Sequence, residues 1–367
     1  MGCKTTGAPL DSVSSPQPLA PAMRALVTGG GGFLGGYIVE ALLARGDQVR
    51  SFGRGDYPQL RGQGVEVVRG DIRDHAAVAI ACRDVDCMFH AAAMPGIGMQ
   101  RRLYEEVNRL GTEHLLAGCR AAGVSRLVYT SSPSVVFAGQ DQCGIDESAP
   151  YDFRWMETNG AYYSLTKAHA EQAVLAAHSN TLRTCALRPH LVWGPGDTHL
   201  VPRLVARARA GRLRRVGDGT NLVDVTYVEN AAEAHMLAAD ALSGEAASNK
   251  VGSAAGNAYF ISQGEPVNCW QWIDDILALV DLPPVRKSLS LNSAWRIGAA
   301  CEGLYRLLRL SGEPPMTRFL AAQLGTSHWF DISTARRDLG YEPRVSTGEG
   351  MQRLREWLRT CDLNRKR

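Results

Sequence analysis

From Arg24 onward, short apolar runs alternate with longer stretches in which apolar residues recur at helical spacing. Arg24–Thr28 (RALVT) reads as a short buried strand, and FLGGYIVEALLARG places Leu34, Ile38, Leu42 and Leu43 on one helical face. QVRSF (48–52), VEVVRG (65–70), CMFHAA (87–92), RLVYTS (126–131) and TCALRP (184–189) read as five further strands. Helical stretches such as Tyr104–Ala122 and Tyr162–His178 separate most of them. Strands alternating with helices predict a doubly wound parallel sheet of the α/β class. After Arg188 the alternation breaks. Residues 191–222 hold Gly194-Pro195-Gly196, Pro202 and an arginine-dotted helix, Ala258–Ser262 is a late strand, and the chain from about Pro266 is mostly helical. The expected organisation is a tail over 1–22, a sheet domain over 23–190 joined by about 223–262, and a smaller helical lobe from 191–222 and 263–360.

Composition narrows the classes of function. The 367 residues are 45% hydrophobic and 21% charged, as in an ordinary globular protein with a sizeable core. A net charge of +3 gives no electrostatic footprint for nucleic acid. The nine cysteines stand singly without a C-x-x-C pair, which suits reduced thiols in a cytoplasm and suggests no metal site. There is no 18-residue apolar run, so no transmembrane helix is expected. The first 22 residues are rich in Pro and Ser, and read as a disordered tail although Met1-Gly2 and Thr6 fit a myristoylation pattern. Of 40 basic residues only Lys4, Lys167, Lys250, Lys287 and Lys366 are lysine, so a lysine inside a motif is less easily accidental.

Thr28–Gly35 joins the first strand to the first helix with glycines at 29, 32 and 35. That spacing permits a tight turn, close approach of backbone to a pyrophosphate, and close helix–strand packing. The helix N-terminus at Phe33 and Leu34 then offers free N–H groups to the phosphates. The second strand ends Phe52-Gly53-Arg54 without the acid that grips a ribose 2′-hydroxyl, so NADP(H) is favoured over NAD(H), with Arg54 reading the 2′-phosphate. Asp56, two residues on, argues the other way.

Ala161–Lys167 holds Tyr163 and Lys167 four apart at the start of a helix, hence on one face. A phenol ionises near pH 10, and a fixed ammonium beside it favours the phenolate. Thr130-Ser131-Ser132 ends a predicted strand on the edge where such sheets place ligands, and a serine hydroxyl there can hold a carbonyl oxygen. The alternative for each motif is structural: a flexible turn, or a surface Tyr–Lys pair.

Taken together, the glycine loop, Gly70-Asp71-Ile72, His90-Ala91-Ala92-Ala93, Asn108 with Gly111-Thr112, the serine strand, Tyr163/Lys167 and Leu187-Arg188-Pro189 resemble the extended short-chain dehydrogenases with a Rossmann-type fold, over about Met23 to Leu358. The resemblance implies Tyr163 as general acid, Lys167 as its pKa-lowering partner, Ser132 as carbonyl orienter, and Asn108 in the proton relay or its framework. It also implies Asp71 and Ile72 beside the adenine, and Ala91, Ala92, Ala93 and Pro189 along the cofactor.

Nucleotide-sugar epimerases and dehydratases of this family carry an arginine for the sugar diphosphate where this chain has Val223, which disfavours that branch. Asn221–Asn230 resembles the 3β-hydroxysteroid and sterol-4-carboxylate dehydrogenase branch instead. Within it, Ala186–Asp197, Leu204–Arg212 and Gly312–Leu320 resemble the reductases of bacterial long-chain olefin biosynthesis that act on 2-alkyl-3-oxoalkanoates. Such a substrate needs a long apolar groove and one cation. The amphipathic stretch Ala294–Leu310 is read either as a helix packed on the core or as a groove wall or membrane-touching lid. Arg203, Arg207 and Arg212–Arg215 are read as mostly solvated surface, with contact of one of them to the substrate carboxylate as the alternative, and His190 and His199 as structural. The resemblance implies a homodimer through Tyr104–Ala122 and Tyr162–His178, in contact with enzymes of the same pathway. A sterol dehydrogenase, a nucleotide-sugar enzyme and a catalytically silent cofactor sensor remain as alternatives.

Overall fold

The computed structural model describes residues 22–243, 254–310 and 312–361. The expected tail, apart from its last residue, lies outside them. Seven parallel strands form the central sheet in the order Ala258–Ile261, Arg183–Pro189, Arg126–Thr130, Cys87–His90, Arg24–Thr28, Gln48–Gly53 and Glu66–Arg69. Chain order thus reverses beside Arg24–Thr28, which is the doubly wound topology with its ligand crevice at the strand ends.

Alternation along the strands builds two cores. Val27, Phe89, Val128 and Leu187 point into one cluster, while Leu26, Met88, Leu127 and Ala186 point into the other, so both faces are covered. Helices Phe33–Arg45 and Val228–Ala241 pack together over one face. The expected helix over Tyr104–Ala122 is instead three segments: α over Arg101–Tyr104, π over Glu105–Leu110 and α over Gly111–Ala122. Such π segments accommodate an extra residue and often occur at functional sites. Here the segment carries Asn108.

A third apolar cluster gathers Trp193, Val201, Val205, Trp270, Trp272, Ile273 and Leu354. Beside it runs a four-stranded sheet of Val267–Asn268, Leu222–Val223, His328–Phe330 and Gln142–Ile145. Asp224 is buried and accepts a hydrogen bond from the Phe330 N–H at 2.8 Å. Val223 itself is fully buried and paired with Val267, so this position is core rather than a cavity wall.

Helix Leu291–Leu307 buries only its small face and one acid, Ala294, Gly298 and Glu302. A Cβ on Gly298 would lie 2.5 Å from the Thr317 carbonyl carbon, so backbone packs on backbone there. Close approach at the small residues turns Trp295, Ile297, Leu304, Leu307 and Leu308 outward, and Leu307 is 80% exposed. No membrane-crossing helix occurs among the described residues.

Candidate active site

The glycine loop is shaped by the absence of side chains. Gly29 has φ +74, and a Cβ on Gly35 would sit 2.0 Å from the Gly29 carbonyl oxygen. The loop closes with the Gly32 N–H donating to Gly29 O at 2.9 Å, and Gly32 caps helix Phe33–Arg45. No acidic side chain occupies that helix's first turn, which leaves its positive end open to an anion.

The loop forms one end of a cleft of about 490 Å³. Gly29, Gly32, Phe33, Leu34, Gly35, Arg54, Asp71, Ile72, Ala91, Ala92, Ala93, Tyr163 and Lys167 all line it, so the structure brings together nearly every residue singled out above. Pro189 is the exception among the cofactor residues: it is buried at its strand end, paired with Ile261, and outside the cleft wall. At the rim Arg54 is exposed, with its carbonyl accepting from Arg69 Nε at 3.1 Å. Asp56 is taken up by Arg61 at 2.8 Å, and Arg50 by Glu66 at 2.8 Å. Asp71 is held below its ordinary pKa, chiefly by hydrogen bonds from Arg73.

A buried hydrogen-bond chain ties this wall together. Ala92 N–H donates to Thr28 Oγ1 at 3.2 Å, which lies 2.8 Å from His90 Nδ1; His90 Nε2 lies 2.9 Å from Thr112 Oγ1, which donates to Asn108 O at 2.6 Å. Because the single Thr112 proton is committed to Asn108, His90 must donate through Nε2 and accept from Thr28 at Nδ1. The imidazole is therefore neutral, and burial pulls its pKa down to about 3. Asn108 accepts from Met94 N–H at 2.7 Å and donates to Met94 O and to Thr166 Oγ1, both at 3.2 Å, joining the cleft loop to the residue before Lys167.

Tyr163 and Lys167 sit on helix Tyr162–Ala176. Burial pushes the Tyr163 phenol up to about 12, opposed by the Ser132 hydroxyl beside it, so the lowering expected from Lys167 gives way here to a rise caused by desolvation. Burial pulls Lys167 down to about 7, opposed by Glu171 one turn further on. Lys167 Nζ donates to Thr130 O at 2.5 Å and lies 4.0 Å above the Tyr129 ring. Ser132 is positioned by its own turn, accepting from Ser134 N–H at 3.2 Å. Ser131 lines the cleft with its hydroxyl buried and without a partner among the described residues. An open helix end, a glycine cradle and an orphaned hydroxyl in one crevice fit a dinucleotide.

Tyr163 also faces a second cavity of about 400 Å³, lined mainly by apolar residues including Leu191, Leu204, Leu213, Trp272, Ile273 and Leu324. His199 and Val192 border both cavities. The sequence carried no signal for His199 there. Its place depends on Asp197, whose carboxylate accepts from the N–H groups of His199, Leu200 and Val201. Two expectations need correction. The groove is walled by helices Leu200–Arg209, Cys269–Ala278 and Arg318–Gly325, not by the leucines of 304–308, which face outward. Arg203 and Arg207 belong to the cavity wall rather than to open surface, whereas Arg215 is paired with Asp274. His190 is structural, buried with Nδ1 2.7 Å from Asp224 O.

The neutral histidines set a pH dependence. In the folded chain His90 and His235 titrate near 3 and 4, and His190 lies well below its ordinary value, all through burial. Unfolded, each binds a proton near pH 6.5, so the unfolded state gains protons first as pH falls. Asp224, raised to about 6 by burial, works the other way, since its contribution grows as pH falls below 6. With His328 also lowered by burial and Glu147 also raised by it, four histidines outweigh two acids. The melting temperature should fall steadily from pH 6.5 to 4, and a flat profile by scanning calorimetry would contradict the neutral-histidine network.

The sequence profile of the 3-beta hydroxysteroid dehydrogenase/isomerase family matches residues 26–291. A 2-alkyl-3-oxoalkanoate reductase of Stenotrophomonas maltophilia is 51% identical over 338 residues, covering 91% of this chain and 98% of that protein. The mouse (Mus musculus) sterol-4-alpha-carboxylate 3-dehydrogenase, decarboxylating, is 34% identical over 341 residues, 91% of either chain. Among solved structures, a dTDP-glucose 4,6-dehydratase of Streptomyces venezuelae with NAD bound superposes with a TM-score of 0.70 at 25% identity, covering 93% of this chain and 98% of that one.

Proposed function

This chain belongs to the 3-beta hydroxysteroid dehydrogenase/isomerase family, and on that premise we propose that it reduces the 3-keto group of a 2-alkyl-3-oxoalkanoate with NADPH, giving the 2-alkyl-3-hydroxyalkanoate of a long-chain olefin pathway. It is an NAD(P)-dependent oxidoreductase acting on a CH–OH/C=O pair. The observation that carries the finer reading is the apolar cavity that opens onto Tyr163 and holds arginine in its wall. Both named relatives act on molecules whose carboxylate sits on the carbon next to the reacting one. A cavity that is mainly apolar with a cation in its wall suits a β-keto acid with long alkyl chains.

When bound, a reduced nicotinamide supplies the hydride that the carbonyl carbon accepts. Ser132 holds the carbonyl oxygen, and Tyr163 gives that oxygen its proton. A phenol pushed up to about 12 keeps its proton at neutral pH until the developing alkoxide, a far stronger base, takes it. The phenolate left behind is stabilised by the Lys167 ammonium, and each charge favours the other.

Alkyl chain length tests the substrate. Each buried methylene contributes up to about 0.8 kcal/mol, so kcat/KM should climb several-fold per two carbons until the cavity is full. Leu204→Ser or Ile273→Ser should flatten the trend. A flat profile in the intact enzyme, turnover of a nucleotide sugar, or preference for a rigid sterol would overturn this reading.

Arg54 tests the cofactor. Arg54→Ala should weaken NADPH binding by about tenfold or more, the scale of one charge-assisted hydrogen bond, with far less effect on NADH. An unchanged NADPH/NADH preference, measured by fluorescence titration, would remove Arg54 as the reader of the 2′-phosphate.

A further inference from the structure

The cavity beside Tyr163 has an unbalanced charge. Among its lining residues are two cations, Arg203 and Arg207, and no acid. They lie four residues apart on helix Leu200–Arg209, hence on one face. Arg203 is answered by Glu313, whose carboxylate also accepts from the Ile97 N–H at 3.1 Å. Arg207 has no acidic partner among the described residues, although it is half-buried in a wall of leucine, isoleucine and tryptophan. Burial, and then the like charge of Arg203, hold its pKa below the ordinary arginine value. A guanidinium withdrawn from water without a counter-ion is costly to keep, and a neutral lipid in the cavity would make it worse.

We propose that Arg207 binds a carboxylate of the ligand, so that this cavity selects long-chain acids over neutral lipids. The identity of that acid as a β-keto acid rests on the function proposed above; the anion site does not. The planar guanidinium matches a carboxylate through two parallel hydrogen bonds. Tyr163 lines the same cavity, so an acid held at Arg207 lies in the space the tyrosine faces.

Two measurements test the site. In the first, calorimetry compares hexadecanoate with 1-hexadecanol on the NADP⁺-loaded protein. Arg207→Gln should lower the ratio of their affinities by at least about tenfold, the scale of one hydrogen bond to a charged group, and Arg207→Lys should restore part of it. An unchanged ratio in a variant that melts like the parent protein overturns the proposal. In the second, kcat/KM is compared for a 2-alkyl-3-oxoalkanoate and its methyl ester, and Arg207→Gln should cut the acid-to-ester ratio by the same factor. If the parent protein reduces neither compound while the hexadecanoate ratio still depends on Arg207, the proposed substrate falls and the anion site stands. If it reduces both and Arg207→Gln leaves the acid-to-ester ratio intact, the anion site falls alone.

Discussion

Tyr163→Phe should lower kcat by at least about a hundredfold, within the range that a positioned general acid contributes. The substitution removes one oxygen and leaves the aromatic ring in place. The proton that the carbonyl oxygen needs would then have to come from water, in a site whose burial already pushes the phenol up to about 12. Affinity for the dinucleotide should change little, since the glycine loop, Arg54 and the Ala91–Ala93 wall are untouched. Steady-state NADPH oxidation, beside a cofactor titration on the same sample, separates the two effects. Retention of most activity would sink the acid assignment, and loss of cofactor binding would show that the tyrosine acts by shaping the cleft.

The largest expected effect on stability comes from Glu171→Gln. Glu171 is fully buried, and its carboxylate takes Arg188 Nη2 at 2.6 Å and the Tyr151 hydroxyl at 2.7 Å. Arg188 is itself buried, packed 5.1 Å from the Phe260 ring centroid, with Nη1 lacking a partner among the described residues. Removing one charge of such a pair leaves the other desolvated and uncompensated, a cost of about 3–5 kcal/mol. For a chain of this size that corresponds to a melting temperature lower by about 4–7 °C. The double variant Glu171→Leu with Arg188→Met should be less destabilised than Glu171→Gln, because no buried charge remains. A melting temperature within a degree of the parent protein would show that water reaches this pair.

Much of this molecule was written locally. The inner strands of the central sheet announced themselves by short apolar runs, because a strand covered on both faces has no polar side to show. The glycine loop and the Tyr163/Lys167 pair were equally legible. A turn that only glycine can adopt, and two side chains one helical turn apart, are set by residues close in sequence. Spacing alone could not show that helix Leu291–Leu307 would pack through Ala294 and Gly298 and turn its leucines outward, since amphipathic periodicity marks an apolar face without naming what covers it. Nor could it show that Asp56 is occupied by Arg61, that Pro189 stays outside the cleft, or that Arg207 points into an apolar cavity shared with Tyr163. Except for the Asp56–Arg61 pair, which lies within one loop and short helix, each of these depends on partners tens to hundreds of residues away, brought together by packing of the whole chain. The motifs of the candidate centre were therefore a local property of the sequence, and the shape and charge of the space before it was decided by the tertiary fold.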